Sequence, residues 1–298
     1  MPPPHRRFRL AVAGSVNYPT YSQDWPRLQP ALAKLGVTAA IEQWTDHDVD
    51  WAAYDLILAH GVWGYIHQPE DFVAWTERLD GHPGVVNSPA TLRWNMDKRY
   101  LTDLAEAGVP VVPTVWLSPT DQSPATLPDG EIVVKPTISG GGHETARYSP
   151  DELALAHAHI DRLLAGGRTV MVQPFQAAVE DQGEVGVILF GGQFSHAIGK
   201  APMLDPRAGA QEDLIDKLIV TPGTASEIHL AVARATMAAA EALVGTITYA
   251  RVDMVPLANG SPAVLELEVL DPALFLETAP GAARQLAQVL LERIQASG

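Results

Sequence analysis

The stretch Ile132-Val133-Val134-Lys135-Pro136, followed by Ser139-Gly140-Gly141-Gly142-His143-Glu144-Thr145, decides how this chain is read. An apolar, β-branched run that ends in lysine predicts a strand delivering one cation to a fixed point. Three successive glycines beside a serine let backbone N–H groups close on phosphate oxygens with no side chain in the way. The pattern is not a Walker loop, because no G-K-[ST] opens a helix after the glycines. Alone, a triple glycine is more often a flexible hairpin turn, so a phosphate reading needs a second signal.

That signal lies near the C-terminus, where Arg251-Val252-Asp253 falls in one strand-like run and Glu266-Leu267-Glu268 in the next. Residues two apart on a strand share a face, so Glu266 and Glu268 point the same way, and a partner strand can bring Asp253 alongside. Three converging carboxylates repel unless a cation sits between them. Oxygen donors without histidine or cysteine favour magnesium, with manganese as the alternative, over zinc. An isolated Glu-x-Glu is more often the wet face of an amphipathic strand. Here the flanking Val264, Leu265, Leu267, Val269 and Leu270 leave little ordinary wet surface, which favours the metal.

Outward from these two signals, the spacing predicts an alternation of elements. Before the glycine loop come a helix over 97–107, a turn at 108–110, a strand over 114–117, a Pro/Ser/Asp-rich loop over 118–130 and a strand over 131–135. After it come a strand over 144–148, a helix over 150–164 and a strand over 169–173. Two runs, 184–190 and 193–199, read as a hairpin closed by Gly191-Gly192. The weakly periodic segment 201–223 reads as a long mobile lid. An Ala-rich helix over 225–243, strands over 246–256 and 263–270 and a helix over 281–295 complete the chain. Towards the N-terminus, strands over 8–13, 37–43 and 54–59 alternate with helices over 25–35, capped by Asp24, and 69–79. This is a Rossmann-like α/β layer, but its first turn lacks the G-x-G-x-x-G of dinucleotide binding, which disfavours nicotinamide and flavin.

Composition narrows the partners. A chain of 298 residues with 47% hydrophobic content supports several cores. The formal net charge of −15, with no basic stripe, argues against nucleic acid. No run approaches the roughly 18 apolar residues of a membrane span, and the basic opening Met-Pro-Pro-Pro-His-Arg-Arg leads into a strand rather than a cleavage site. A cytoplasmic location is the default expectation, and a homodimer is left open. The absence of cysteine removes thiolate nucleophiles and disulfides.

Taken in order, the motifs resemble the ATP-grasp superfamily, in particular its glutathione-synthetase and RimK-like branch, over nearly the whole chain. The resemblance runs through Asn95-Met96-Asp97-Lys98-Arg99-Tyr100-Leu101, Gly108-Val109-Pro110, Val134-Lys135-Pro136 with the glycine loop, Val172-Gln173-Pro174-Phe175, Gly183-Glu184, Ser195-His196-Ala197, Lys200, Asp253 and Glu266-Leu267-Glu268. It implies a mixed α/β and α+β fold: an N-terminal Rossmann-like domain (1–94), a central lid subdomain (95–174) and a C-terminal subdomain with the metal site (175–298). It further implies that Lys98 and Lys135 contact the ATP phosphates and that Ser139, Gly140, Gly141 and Gly142 fold over the β- and γ-phosphates. Gln173 and Phe175 would border adenine, and Glu180 or Glu184 would reach the ribose. Lys200 would face the transferring phosphate and Arg251 the acyl phosphate, unless Arg251 merely pairs with Glu266 or Glu268. Asp253, Glu266 and Glu268 would hold Mg²⁺.

The activity so implied is ADP-forming C–N ligation of a small amino-acid-like carboxylate through an acyl phosphate. Length and domain order are similar to stand-alone ATP-grasp enzymes of antibiotic pathways, among them a cyclo-ligase that closes O-ureido-D-serine to D-cycloserine. A small-molecule kinase and a noncatalytic ATP-binding module are the competing classes. Two departures from the family pattern stand out. Glu268 occupies a metal position that is often asparagine, and His60-Gly61-Val62-Trp63-Gly64-Tyr65 keeps the Trp and Tyr of a family stretch while replacing its Arg and Asp. His60, Trp63, Tyr65 and His143 are the candidate substrate contacts.

Overall fold

Strands β1 (Phe8–Gly14), β2 (Val37–Gln43) and β3 (Leu56–Ala59) alternate with helices α1 (Trp25–Lys34) and α2 (Pro69–Arg78). The computed structural model describes residues 8–14, 24–121, 126–205, 209–210, 214 and 217–297, so the expected loops over 118–130 and 201–223 lie partly outside the described residues. β1 runs between β2 and β3, parallel to both. Helical crossovers cover the faces of a parallel sheet, which is why Leu10, Ala11, Val12 and Ala13 and all of β3 are buried. Asp24 precedes α1, yet its side chain does not cap that helix. Its carboxylate instead accepts the backbone N–H groups of Leu274 and Leu276 at 2.7 and 2.8 Å, tying the C-terminal loop to the N-terminal layer.

Helix α3 (Pro89–Met96) has no counterpart in the spacing-based expectations. Pro89, Thr91, Leu92, Asn95 and Met96 are buried, Arg93 and Trp94 half-buried and only Ala90 exposed, so the wet face from which periodicity is read is narrow. It ends at Asp97, which is extended and whose carboxylate accepts the Arg99 N–H at 3.0 Å, so that α4 (Tyr100–Glu106) starts three residues later than expected. The non-helical step between them turns Lys98 toward the interior, with its backbone N–H donating to Thr137 O.

Next comes a four-stranded antiparallel sheet of β4 (Val115–Leu117), β5 (Ile132–Pro136), β6 (Ala146–Tyr148) and β7 (Val170–Pro174), in the order β4-β7-β5-β6. Ile160 and Leu163 of α5 (Leu153–Ala165) cover it, packing with Ile132, Val134 and Val172. A short helix α6 (Val179–Gln182) leads into β8 (Glu184–Phe190), β9 (Gln193–Lys200) and β10 (Val220–Gly223); helix α7 (Glu227–Val244) follows, then β11 (Tyr249–Pro256), β12 (Pro262–Glu268) and α8 (Ala282–Ser297). The second sheet is β10-β9-β8-β11-β12, antiparallel throughout. Part of the expected lid is thus β10, with Val220 opposite Lys200. Ala233, Met237 and Ala240 of α7 pack with Val187, Leu189 and Val252, whereas Leu286 and Leu290 of α8 share one core with Ile188, Phe190, Leu10 and Leu28. Among the described residues no helix is long and apolar enough to cross a membrane.

Two buried asparagines fix the end of β12. Asn95 donates to Leu267 O at 2.7 Å and accepts from the N–H groups of Val269 and Leu270 at 3.0 Å. Asn87, at φ 53°, donates to Tyr249 O and Val269 O and accepts from Thr248 N at 2.6 Å. Asparagine tolerates the left-handed region and offers both donor and acceptor, which few residues can combine. Asn87→Ala leaves those backbone groups buried and unmatched and is expected to cost about 3 kcal/mol or more of stability in chemical denaturation. A loss below about 1 kcal/mol would show that water replaces the side chain.

Candidate active site

The four-stranded sheet, the β11–β12 face and the glycine loop enclose two adjoining cavities of about 150 and 160 Å³. Lys98, Ser139, the three glycines, Lys200, Glu266 and Glu268 line both. Lys135, Gln173, Phe175 and Glu184 line only the larger, whereas Trp63, Tyr65 and Arg251 line only the smaller. Sequence neighbours are thereby sorted into separate chambers.

The glycine loop closes over the shared wall. Gly141 and Gly142 take φ values of 60° and 74°, which side chains with a Cβ rarely adopt. A Cβ on Gly142 would come within 2.8 Å of Leu214, whose N–H donates to Gly141 O at 2.7 Å. The loop and the 201–223 segment therefore touch, and Met203 and Leu214 border both cavities.

Below them the charges alternate. Lys98 Nζ lies 2.5 Å from Ser139 O and 3.1 Å from Glu266. Lys200 Nζ sits 2.9 Å from Asp253 Oδ2 and 2.7 Å from Glu184 Oε2, the latter outside hydrogen-bonding angles, since that oxygen has no hydrogen-bond partner. Arg251 donates to both oxygens of Asp253 at 3.0–3.1 Å, to Glu268 and to Ala273 O at 2.6 Å. Burial would raise the Asp253 carboxyl, but Arg251 and Lys200 overcome it and hold it down at about 2. Burial likewise opposes Glu266, which Lys98 and Lys135 keep below the ordinary carboxylate range. Glu268 goes the other way: burial, reinforced by repulsion from Glu266 and Asp253, outweighs Arg251 and pushes it up to about 8. Burial also lowers Lys135 to about 8.

Register places Asp253 opposite Glu266 and Arg251 opposite Glu268, as two-residue spacing implied. The convergence is nevertheless not the expected metal cluster: among the described residues, no group of three acidic or imidazole side chains is arranged to hold an ion. The reason is that side-chain cations already lie between the carboxylates, and Asp253, fully buried, lines neither cavity. Arg251 takes the structural pairing with Glu268 while also facing the smaller cavity.

Other candidates sit elsewhere. Glu180 pairs at 2.5 Å with Arg147, outside the lining of either cavity, leaving Glu184 as the glutamate on the larger one. His60 lies buried behind the smaller cavity, 3.8 Å from Asp24 and 3.7 Å from Asp271. His143 stacks edge-on against His67 at 5.0 Å, away from both chambers. Gln173 lines the larger cavity with its amide held by Thr114 at 2.9 Å. Arg147 and Asp271 line the cavities without having been singled out. Arg147, stacked 3.5 Å over Phe175, sits on a short strand where a lone arginine carries no motif, whereas Asp271 directly follows the apolar run through Leu270 and could have been noticed there.

An α/β layer followed by two antiparallel sheets, with a glycine loop over a lysine- and glutamate-lined cleft between them, defines an ATP-grasp ligase, an enzyme that forms C–N bonds. Residues 10–87 match the family described as D-cycloserine synthetase DcsG, N-terminal domain. The chain is 35% identical over 295 residues to the cycloserine biosynthesis protein DcsG of Streptomyces lavendulae, covering 95% of this chain and 98% of that one. It superposes on the crystal structure of D-cycloserine synthetase DcsG with a TM-score of 0.88 at 33% identity, covering 96% and 99% of the two chains. The D-alanine–D-alanine ligase of Bacillus anthracis, at 16% identity with 97% and 98% covered, shares the fold with a TM-score of 0.67. With identity of that order over nearly its whole length, the chain belongs to the D-cycloserine synthetase DcsG family.

Proposed function

We propose that this enzyme is an ATP- and magnesium-dependent cyclo-ligase that closes a small amino-acid-like substrate of the O-ureido-D-serine class onto its own carboxylate. The observation that carries this reading is the 35% identity to the cycloserine biosynthesis protein DcsG over nearly the whole of both chains. The smaller chamber adjoins the larger across a shared wall, which supports a substrate site beside the nucleotide site. Family membership supports the D-cycloserine product, and the need for ATP supports a cytoplasmic location.

The donor set suits a divalent ion. Lys98, Lys200 and Arg251 are already paired with Glu184, Asp253, Glu266 and Glu268, so a polyanionic triphosphate would meet carboxylates that repel it. Glu266 and Glu268, on the wall common to both chambers, are the oxygens that would hold magnesium, with Asp253 contributing its charge from behind. When bound, the ion neutralises the phosphate oxygens and the charge that develops during transfer.

The remaining work falls to the chain. Lys98, Lys135 and the glycine-loop N–H groups hold the triphosphate, while Gln173, Phe175 and Arg147 border the base and Glu184 the ribose. The substrate carboxylate, in the inner chamber, attacks the γ-phosphorus and ADP leaves. Lys200 faces the transferred group, and Arg251 stabilises the oxyanion as the substrate's ureido nitrogen attacks the acyl carbon, phosphate departs and the nitrogen loses a proton. The ring so formed still carries the carbamoyl group on that nitrogen, and water removes it as carbon dioxide and ammonia to give the D-cycloserine ring. Met203 and Leu214 exclude water that would hydrolyse the acyl phosphate. The test is ADP release on adding O-ureido-D-serine, with product masses read in parallel. No release, a stable phosphorylated product or an intermolecular amide would defeat the proposal.

A pH dependence follows from Lys135. Phosphate recognition needs its ammonium form, which the free protein loses as pH rises through about 8. Affinity for ATP is therefore expected to be flat below that pH and to fall by up to about tenfold per unit above it. Calorimetry on the wild type and Lys135→Arg checks this, because arginine stays charged and should flatten the slope.

A further inference from the structure

Among the described residues, Asp271 is the charged side chain on the inner chamber with a buried oxygen that makes no hydrogen bond. Its side chain is only 6% exposed. Oδ1 accepts the Gly61 N–H at 2.7 Å and lies 3.7 Å from His60 Nδ1. Oδ2 is buried with no hydrogen-bond partner among the described residues. Leaving a buried carboxylate oxygen unmatched costs about 1–3 kcal/mol, a penalty that persists where a ligand relieves it.

Glu266 and Glu268 line the same chamber but are paired with Lys98 and Arg251, whereas Asp271 has no lysine or arginine partner among the described residues. A zwitterion is accordingly matched with its ammonium toward Asp271 and its carboxylate toward the paired cations. In the ring closure proposed above the nucleophile is the side-chain nitrogen, so the α-ammonium does not react and is free to serve as a handle. The Gly61 and Val62 N–H groups hold the carboxylate in place, and taking an ammonium on the buried Oδ2 requires the side chain to turn toward the chamber it borders. His60 backs the carboxylate without lining the chamber.

We propose that Asp271 is a specificity-determining residue that recognises the unreacting primary ammonium of the amino-acid substrate. The inference rests on the cyclo-ligase reading and separates from it experimentally. Wild-type enzyme and Asp271→Asn, which keeps an acceptor for Gly61, are compared on O-ureido-D-serine and on its des-amino analogue, 3-(ureidooxy)propanoate, by ADP release. The wild type should have a kcat/KM about ten- to a hundredfold higher for the amino compound. Asp271→Asn should raise KM for that compound by a similar factor, leave kcat within about threefold and leave the analogue unaffected, abolishing the discrimination. Equal wild-type activity on both compounds would overturn the assignment while leaving the cyclo-ligase reading standing. So would an Asp271→Asn variant that loses both activities in parallel or keeps the discrimination. Should the wild type release no ADP with either compound, the cyclo-ligase reading itself fails and takes this inference with it. Should Asp271→Asn fold poorly by its melting curve, Asp271→Ser, which also keeps an acceptor for Gly61, carries the same comparison.

Discussion

Glu266→Gln is expected to lower turnover by about 10²–10³-fold while costing no more than about 2 kcal/mol of stability. The asymmetry follows from what the carboxylate touches. Glu266 is the partner of Lys98 at 3.1 Å and lines both cavities, with a quarter of its side chain accessible, so part of its charge is already solvated. Glutamine keeps the shape and one oxygen, and Lys98 keeps Ser139 O. What disappears is half of the carboxylate pair proposed to hold the divalent ion. The magnesium concentration for half-maximal activity should rise alongside the fall in kcat. Denaturation curves and metal titrations decide between the roles: if folding is lost in proportion to activity, or the metal requirement is unchanged, Glu266 is a structural counter-ion and the metal assignment goes.

Lys200→Met should be the most damaging substitution in the site, for activity and stability together. Lys200 is a tenth exposed and is the only cation between Glu184 and Asp253 among the described residues. Removing it leaves Asp253 to Arg251 alone and Glu184 with a buried, unmatched oxygen, a loss of about 3–5 kcal/mol by analogy with other broken buried pairs. Turnover should fall by about 10³-fold or more, because the same ammonium is proposed to face the transferred phosphoryl group. Lys200→Met,Glu184→Gln removes the stranded charge and should recover much of the stability without recovering turnover. Recovery of both would show that Lys200 serves the fold alone.

Much of the architecture could be read from local pattern because local forces set it. The strand carrying Lys135, the Gly191-Gly192 hairpin and the β11–β12 pair are each short apolar runs bounded by turn formers, and their pairing agrees with that reading. The misses share one cause. Helix α3 is mostly buried, with only Ala90 exposed, so its sequence shows little contrast between faces. Asp24 looks like a cap, but its carboxylate is claimed by backbone groups 250 residues away in Leu274, a partner no window contains. His143 adjoins the glycine loop in sequence yet faces His67, because the turn that shapes the loop rotates the next residue out of the chamber.

Within the site the division is similar. Residue type and order put forward the oxygen donors, Lys135 and the glycine loop, and the family resemblance added Lys98 and Lys200; the structure brings the lysines, the glycine loop, Glu266 and Glu268 to the lining of one cleft. Which carboxylate keeps its charge is another matter: Asp253 is held at about 2 and Glu268 raised to about 8 by distances to Arg251, Lys200 and one another, and by the water each has lost. Likewise, only packing sorted Lys135 and Arg251 into separate chambers and left Asp271 with a free oxygen. Periodicity and side-chain chemistry act over a few residues and are written in the sequence, whereas electrostatic energies depend on separations between groups far apart in the chain, which exist only once the tertiary structure has formed.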